Sequence, residues 1–178
     1  MEGLRDGADR IARWAPGLTT GYARSDGDGW KFALSDPTLG LRSSLYLRAV
    51  LRRHGKTFAT RIALACGAGD LPADGDLNAA SGPAFTASGR LLDTLTGPHI
   101  TMAHAEGGAD NALIALADHI SQGWTPAQAR ALCLMLPPCA GTHAEAASQL
   151  GISRQAVDQA LSSAGYHAIS EALQSLEA

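Results

Sequence analysis

The sequence has few aromatic residues and almost no lysine. Its 178 residues include three Trp, three Tyr and three Phe. Lys31 and Lys56 are the only lysines, so arginine supplies nearly all of the positive charge. The formal net charge is −3, and the chain therefore lacks the general excess of positive charge that many nucleic-acid-binding proteins carry.

Cysteine and long apolar runs are also scarce. Cys66, Cys133 and Cys139 form no CxxC pair and have no His-rich neighbourhood, which argues against a zinc site and favours free or buried thiols in a reducing compartment. No run reaches the roughly 18 apolar residues that a membrane-spanning helix needs. The first residues are polar and charged, unlike a signal peptide, so we expect a cytoplasmic protein without a membrane span.

Hydrophobic periodicity and turn residues predict an α+β protein in two parts. The predicted elements are helix 3–14, strands 18–24 and 30–34, a helix capped by Asp36 and ending near 54, strand 60–66, helix 83–95, strand 99–103 and helix 107–122. Thr125 is placed to cap a further helix, and we set a domain boundary there. The predicted domains are residues 1–122 and residues 125–178.

The order of these elements is most of a βαββαβ unit whose first strand is absent, because the sequence begins directly on the first helix. We therefore expect a ferredoxin-like sandwich lacking its first strand, followed by an all-α domain. A missing internal strand would leave a sheet edge without a partner, and such edges recruit other chains. This reasoning predicts a homodimer.

Three segments of the first domain carry a family resemblance. They are Ser-Asp-Gly-Asp-Gly-Trp at 25–30, Thr-Arg-Ile-Ala-Leu-Ala-Cys-Gly-Ala-Gly at 60–69 and Ala-Ser-Gly-Pro-Ala-Phe-Thr-Ala-Ser-Gly-Arg-Leu at 80–91. In this order they resemble the class III nucleotidyl cyclases, and among related proteins most of all the SatD-type proteins. The resemblance covers roughly residues 18–95.

The resemblance implies a nucleotide or phosphate site. Asp28 would hold a phosphate-bound Mg²⁺ on the glycine hairpin, with Asp26 as a second possible metal ligand. Thr86 stands where the cyclases carry an asparagine that acts on the transition state, and Arg90 matches their phosphate-binding arginine. The cyclase partner carboxylate belongs to the absent first strand, and an Asp-Gly turn is common in ordinary hairpins. We therefore expect Mg²⁺ only if this site is functional, and no other cofactor.

A second motif lies near the C-terminus. Ala147 is small where two helices would touch, Gly151 suits a left-handed turn, and Ser153 is placed to cap a following helix. Four apolar residues are predicted to pack between the helices: Ala146, Leu150, Ile152 and Val157. This segment resembles the helix-turn-helix of DNA-binding regulators.

The second helix of that motif is the predicted reading helix. The residues expected to face DNA are Ser153, Arg154, Gln155, Asp158 and Gln159. Arginine and glutamine suit guanine and adenine edges. The net charge of residues 125–178 does not favour DNA binding, because this segment has two arginines, Arg130 and Arg154, and four acidic side chains. A helix-turn-helix used only for packing or dimerisation is the alternative.

One basic cluster lies outside this motif, at Arg48, Arg52, Arg53, His54 and Lys56. It is either a solvated helix end whose cations suit the helix dipole or a phosphate-facing patch.

These observations favour a bacterial, cytoplasmic DNA-binding transcriptional regulator over an enzyme. Its degenerate cyclase-like domain would sense a ligand or form the dimer. Two alternatives remain open: a nucleotide-binding or nucleotide-processing enzyme related to the class III cyclases, and a structural adaptor that does not bind DNA.

Overall fold

The structure is a computed structural model that describes residues 2–25, 27–72 and 75–178. This part of the chain contains eight α-helices and four short strands. In chain order they are α1 (Glu2–Ile11), β1 (Thr20–Arg24), β2 (Trp30–Leu34), α2 (Gly40–Arg52), β3 (Ile62–Leu64), α3 (Pro83–Thr94), β4 (Met102–His104), α4 (Gly108–Gln122), α5 (Pro126–Met135), α6 (His143–Leu150), α7 (Arg154–Ser163) and α8 (Tyr166–Glu177). The predicted α+β class is confirmed.

The strands form two small sheets. β1 and β2 are an antiparallel hairpin in which Tyr22 lies opposite Phe32. β3 and β4 are parallel, with Ala63 opposite Ala103, and α3 lies between them in the chain. The pairings of the described strands do not join the two sheets into one, so the ferredoxin-like sandwich stays a prediction.

The third strand is shorter than predicted. The expected strand 60–66 is reduced to Ile62–Leu64. Thr60 instead uses its hydroxyl to accept a hydrogen bond from the indole Nε1 of Trp30, at 3.0 Å. That side-chain bond links the hairpin to the segment before β3.

The fourth strand begins later than predicted. Strand 99–103 was expected, and the observed strand is Met102–His104. The backbone N–H of Thr101 donates to the carboxylate of Asp118 at 2.7 Å. This amide is therefore engaged by a side chain of α4 and is not available to a neighbouring strand.

Helix α2 starts as the sequence predicts. Asp36 accepts a hydrogen bond from the backbone N–H of Thr38 at 3.0 Å, and Pro37 opens a short 3₁₀ turn, Pro37–Leu39, that leads into the helix. Both features use residues whose conformations suit a helix start.

Helix α2 is the centre of the molecule. Its ten consecutive residues from Leu41 to Val50 are all buried, although an ordinary surface helix buries only one face. It packs against α1, α4 and α5. Two of the buried residues are the arginines Arg42 and Arg48, each of which needs a partner inside the protein.

Arg48 is paired with Asp118 of α4. Its Nη1 donates to the carboxylate Oδ1 at 2.7 Å and to the hydroxyl of Ser121 at 2.6 Å. Its Nη2 donates to the hydroxyl of Thr101 at 3.0 Å. The expectation that Arg48 belongs to a solvated or phosphate-facing basic cluster is wrong, because its side chain is only 4% exposed and already bound.

The carboxylate of Asp118 is stabilised in its charged form. Burial by itself would raise the pKa of Asp118, but hydrogen bonds from the hydroxyl and amide of Thr101 and the interaction with Arg48 hold it below its usual value. Asp118 also accepts a hydrogen bond from Gln122 at 3.0 Å. The pair therefore joins α2, α4 and the start of β4 in one buried network.

Arg42 makes the corresponding connection to the C-terminal helices. Its Nε and Nη2 donate to the two carboxylate oxygens of Glu177, at 2.6 and 2.7 Å. Its Nη1 donates to the backbone carbonyl of Leu136 at 2.7 Å. This two-point contact with a carboxylate is the geometry in which arginine binds most specifically. It fixes α8 and the end of α5 to α2.

The predicted boundary between residues 1–122 and 125–178 coincides with a helix break. Thr125 caps α5, and its side chain and that of Gln128 form reciprocal hydrogen bonds with each other's backbone N–H, as in a capping box. The hydrophobic core nevertheless continues across this point, because α2 packs directly against α5. The division into two domains stays a prediction.

The buried pair predicts the effect of removing its carboxylate. Asp118→Ala should lower the free energy of unfolding by about 3–5 kcal/mol, because it leaves the Arg48 guanidinium buried without a counter-charge. Urea denaturation at pH 7 measures this change. Asp9→Ala, at an exposed position of α1, is the matched control and should shift stability by less than about 0.5 kcal/mol.

The pH dependence gives a second readout of the same pair. The pKa of Asp118 is lowered in the folded state, so its contribution is complete above the ordinary aspartate pKa of about 3.9 and is lost as the pH falls through the folded value. The stability difference between the wild type and Asp118→Asn should be constant from about pH 5 to 7 and shrink below about pH 4. A difference that grows on acidification would contradict the assignment.

Candidate nucleic-acid interface

Helix α6 has a well-defined start. The hydroxyl of Thr142 accepts a hydrogen bond from the backbone N–H of Glu145 at 3.2 Å, and the Glu145 carboxylate accepts one from the backbone N–H of Thr142 at 2.6 Å. The bonds that the carboxylate accepts from the backbone N–H of Thr142 and, at 3.1 Å, from its hydroxyl lower the pKa of Glu145 below its usual value. The reciprocal pair satisfies two backbone donors that the first turn of a helix leaves without partners.

The turn after α6 has the conformation that the sequence predicts. Gly151 has φ +66° and ψ +33°, in the left-handed region. The N–H of Ile152 donates to the carbonyl of Ala147 at 3.1 Å, and the N–H of Gly151 donates to the carbonyl of Ser148 at 3.3 Å. This is the Schellman arrangement, and the prediction for Gly151 is confirmed.

The start of α7 is also as predicted. Ser153 has an extended backbone, and its hydroxyl accepts a hydrogen bond from the N–H of Ala156 at 3.1 Å. Ser153 therefore caps a helix that is separated from α6 by only three residues. The prediction of two helices joined by a tight turn is confirmed at the level of the backbone.

The packing between the two helices agrees with the sequence at most positions. Ala146, Ala147 and Val157 are buried, and α6 and α7 contact each other and α5. Ile152 is an exception, because 45% of it is exposed and it does not pack between the helices as expected. Its position in the turn directs it outward, next to the first residues of α7. Leu150 is partly buried against the core.

Most of the predicted reading residues lie on the surface. Ser153, Arg154, Gln155 and Gln159 are exposed, and Asp158 is partly exposed. The Arg154 side chain is 73% exposed, and its Nε lies 3.8 Å from Asp158 Oδ2. An exposed ion pair at this spacing adds little stability, so the arginine remains available to a partner.

A contact that the sequence did not predict joins the two helices. Nδ1 of His143, the first residue of α6, contacts the carboxylate of Asp158 on α7. Because this carboxylate is shared by His143 and Arg154, it offsets part of the positive charge on the exposed face. The local sequence does not predict this pair, because His143 and Asp158 are 15 residues apart and only the packing of α6 against α7 brings them together.

The residues implied by the cyclase resemblance lie elsewhere. Asp28 is exposed in the β1–β2 turn, and Thr86 and Arg90 are exposed one turn apart on α3. Asp26 lies outside the described residues. No hydrogen bond or ion pair of the described chain joins Asp28 to either α3 residue, so the nucleotide site stays a prediction.

The loop before α3 folds back closely on itself. Asp70 and Ser81 form an isolated antiparallel bridge. A Cβ on Gly82, which has φ +114°, would lie 3.0 Å from the Cα of Gly69. Close backbone contact and a positive φ therefore account for glycine at position 82, and the Phe85 ring, 2.8 Å from where a Cβ on Gly69 would lie, accounts for glycine at position 69.

The described residues contain neither a clustered metal-binding group nor a helix able to span a membrane. Among residues 2–25, 27–72 and 75–178, no three His, Cys, Asp or Glu side chains are grouped so that they could hold a metal ion. Within the same ranges, every helix is too short or too polar to span a bilayer.

Comparisons with models of protein families, with curated proteins and with solved structures each found no match to this chain.

The turn geometry predicts opposite effects for two glycine substitutions. Gly151→Ala should destabilise the protein by about 1 kcal/mol, because alanine is strained at φ +66°. Gly89→Ala in the exposed part of α3 should stabilise it by up to about 1 kcal/mol, because alanine is the better helix former. An added Cβ meets nothing within 4 Å at either site, so backbone conformation alone is compared. Thermal melts measure both, and equal shifts would contradict the left-handed turn.

Proposed function

We propose that this chain is a DNA-binding transcriptional regulator of the cytoplasm in which α6, the turn and α7 act as a helix-turn-helix. Helix α7 is the reading helix in this proposal. The α/β part, with its cyclase-like segments, senses a ligand or forms the dimer.

The observation that carries the proposal is the exposed first turn of α7. Arg154 and Gln155 stand next to each other at the capped N-terminus of a helix supported from behind by α5 and α6. In a helix-turn-helix, N-terminal residues of the second helix reach the base edges of the major groove. Arginine pairs with guanine and glutamine with adenine through two hydrogen bonds each.

The charges near α7 limit the strength of the expected interaction. Residues 125–178 contain only Arg130 and Arg154 as permanent cations, against Glu145, Asp158 and two further glutamates. Each phosphate contact contributes a salt-dependence slope of about 0.9 on duplex DNA. We therefore expect weak binding by a single chain and a shallow dependence on salt.

Removal of Arg154 tests the proposal directly. Arg154→Ala should abolish measurable binding to duplex DNA, because few other cations are available to this face. Fluorescence anisotropy with labelled duplexes of mixed sequence at low salt measures it. Arg154→Lys keeps the charge and should retain general binding while losing discrimination between sequences, because lysine cannot match the two-point contact with guanine.

The matched control for this experiment is Arg13→Ala. Arg13 is exposed in the turn after α1 and takes part in no ion pair of the described chain. Its removal should leave duplex binding unchanged. Binding that survives Arg154→Ala, or that falls equally in both variants, would sink the assignment of α7 as the reading helix.

A dimer is the second part of the proposal. Both described sheets contain only two strands, so each strand has one edge without a strand partner among the described residues. Pairing of such edges across a two-fold axis would close them and place two α7 helices on one duplex. Size-exclusion chromatography with light scattering at micromolar concentration should give twice the 18.4 kDa mass of the chain. A monomer at every concentration tested would exclude this arrangement.

A further inference from the structure

A surface cleft lies between α1, the end of α2, α5 and α6. It has a volume of about 280 Å³. Three arginines line it: Arg10 of α1, Arg53 at the end of α2 and Arg130 of α5. Cys133 and Gln149 contribute to the remaining wall. We call this feature the arginine cleft.

The arginine cleft has positive charge without a carboxylate. None of its lining residues is acidic, and none of the ion pairs formed by the described residues involves Arg10, Arg53 or Arg130. The buried arginines of α2 are different, because Arg42 and Arg48 each have a carboxylate partner. Three permanent positive charges therefore face one cavity in a chain whose net charge is −3.

Helix dipoles do not explain the whole cluster. Arg10 lies in the last turn of α1 and Arg53 at the C-terminal cap of α2, where cations are generally favoured. Arg130 lies in the middle of α5, away from either end. It is also one of only two arginines in residues 125–178. Arg130 is exposed, so its guanidinium is accessible to a ligand that enters the cleft from solvent.

Neither Cys133, which lines the cleft, nor Tyr46, which is buried beside Arg10, supplies a negative charge at neutral pH. Burial raises the pKa of the Cys133 thiol to about 11, and the positive charges of Arg53 and Arg10 oppose this rise without overcoming it. Burial likewise raises the pKa of Tyr46, against the same two arginines. Both groups are therefore neutral at pH 7. Arg53 makes a side-chain hydrogen bond to Cys133 and Arg10 makes one to Tyr46, but neither contact supplies a negative charge that would offset the arginines.

We propose that the arginine cleft binds a phosphate group. Arginine guanidinium groups form paired, charge-assisted hydrogen bonds with phosphate oxygens, and the Gln149 amide adds a neutral donor. The volume admits a phosphate or a diphosphate. Because the cleft is walled by α1, α2, α5 and α6, its occupant contacts both predicted domains at once. The inference does not depend on DNA binding by α7.

The phosphate group has two possible sources. One is a small phosphorylated molecule that enters the cleft, and the other is the backbone of a duplex lying against α6. The two are distinguished by using inorganic phosphate and pyrophosphate as probes, separately from duplex DNA.

The first arm measures binding of the two small probes. Isothermal titration and thermal melts are run at constant ionic strength, with chloride as the reference anion. Pyrophosphate should bind to the wild type and raise its melting temperature, because a ligand that binds only the folded state stabilises it. Arg130→Gln should weaken this binding at least tenfold, and Arg53→Gln should do the same.

The matched control is Arg13→Gln, which removes one exposed arginine close to α1 but outside the cleft. It should bind pyrophosphate like the wild type. Arg130→Lys retains the charge and should recover part of the affinity, which separates a charge effect from a folding defect. Circular dichroism establishes that each variant is folded.

The second arm measures duplex binding by the same variants. If neither small probe binds but Arg130→Gln weakens duplex binding tenfold relative to Arg13→Gln, the phosphate belongs to the DNA backbone. If pyrophosphate binds and Arg154→Ala leaves that binding intact, the source is a small molecule. The proposal is overturned if no probe binds and duplex affinity is the same in both variants, or if Arg13→Gln loses as much as Arg130→Gln.

Discussion

The structure depends on the burial of ten consecutive residues of α2, from Leu41 to Val50. A helix that buries ten consecutive residues needs neighbours on every side, and two of those residues are arginines that cannot be left without partners. Arg48 is held by Asp118 of α4, and Arg42 by Glu177 of α8 and the carbonyl of Leu136. The two ion pairs point to opposite parts of the chain. They join α4 and α8 to α2, while α6 and α7 pack against α5.

The ion pairs inside the protein reduce the number of arginines that are available on its surface. Arg42 and Arg48 are neutralised internally, and Arg154 shares the carboxylate of Asp158 with His143. Three of the arginines that form no ion pair among the described residues line the arginine cleft. A DNA-binding surface on α7 would depend on few charges and on base contacts more than on general attraction to phosphate.

The arginine cleft and the α6–α7 pair are physically connected. Gln149 lines the cleft and lies in the last turn of α6, immediately before the turn that leads to Ser153. Arg130 lies on α5, which supports both α6 and α7. A bound phosphate would thus contact the same helices that hold the exposed face of α7.

Local features were determined by the sequence alone. The caps at Asp36, Thr125 and Ser153 and the left-handed turn at Gly151 were predictable because each rests on hydrogen bonds or backbone angles within a few residues. The α+β class followed from hydrophobic periodicity. The exposed position of Arg154 on the second helix followed from the same reasoning.

Long-range features were decided only by the tertiary structure. Arg48 looked like a surface cation because helix spacing places it one turn from Arg52, but its carboxylate partner Asp118 is 70 residues away. The predicted strand at 60–66 is reduced to Ile62–Leu64, and the contact between Thr60 and Trp30 joins two parts of the chain 30 residues apart. The arginine cleft needs four helices to converge. Hydrophobic periodicity shows which face of a helix or strand is apolar, but it does not show which other element packs against that face. The contacts that sequence reasoning missed all depend on this packing between distant elements.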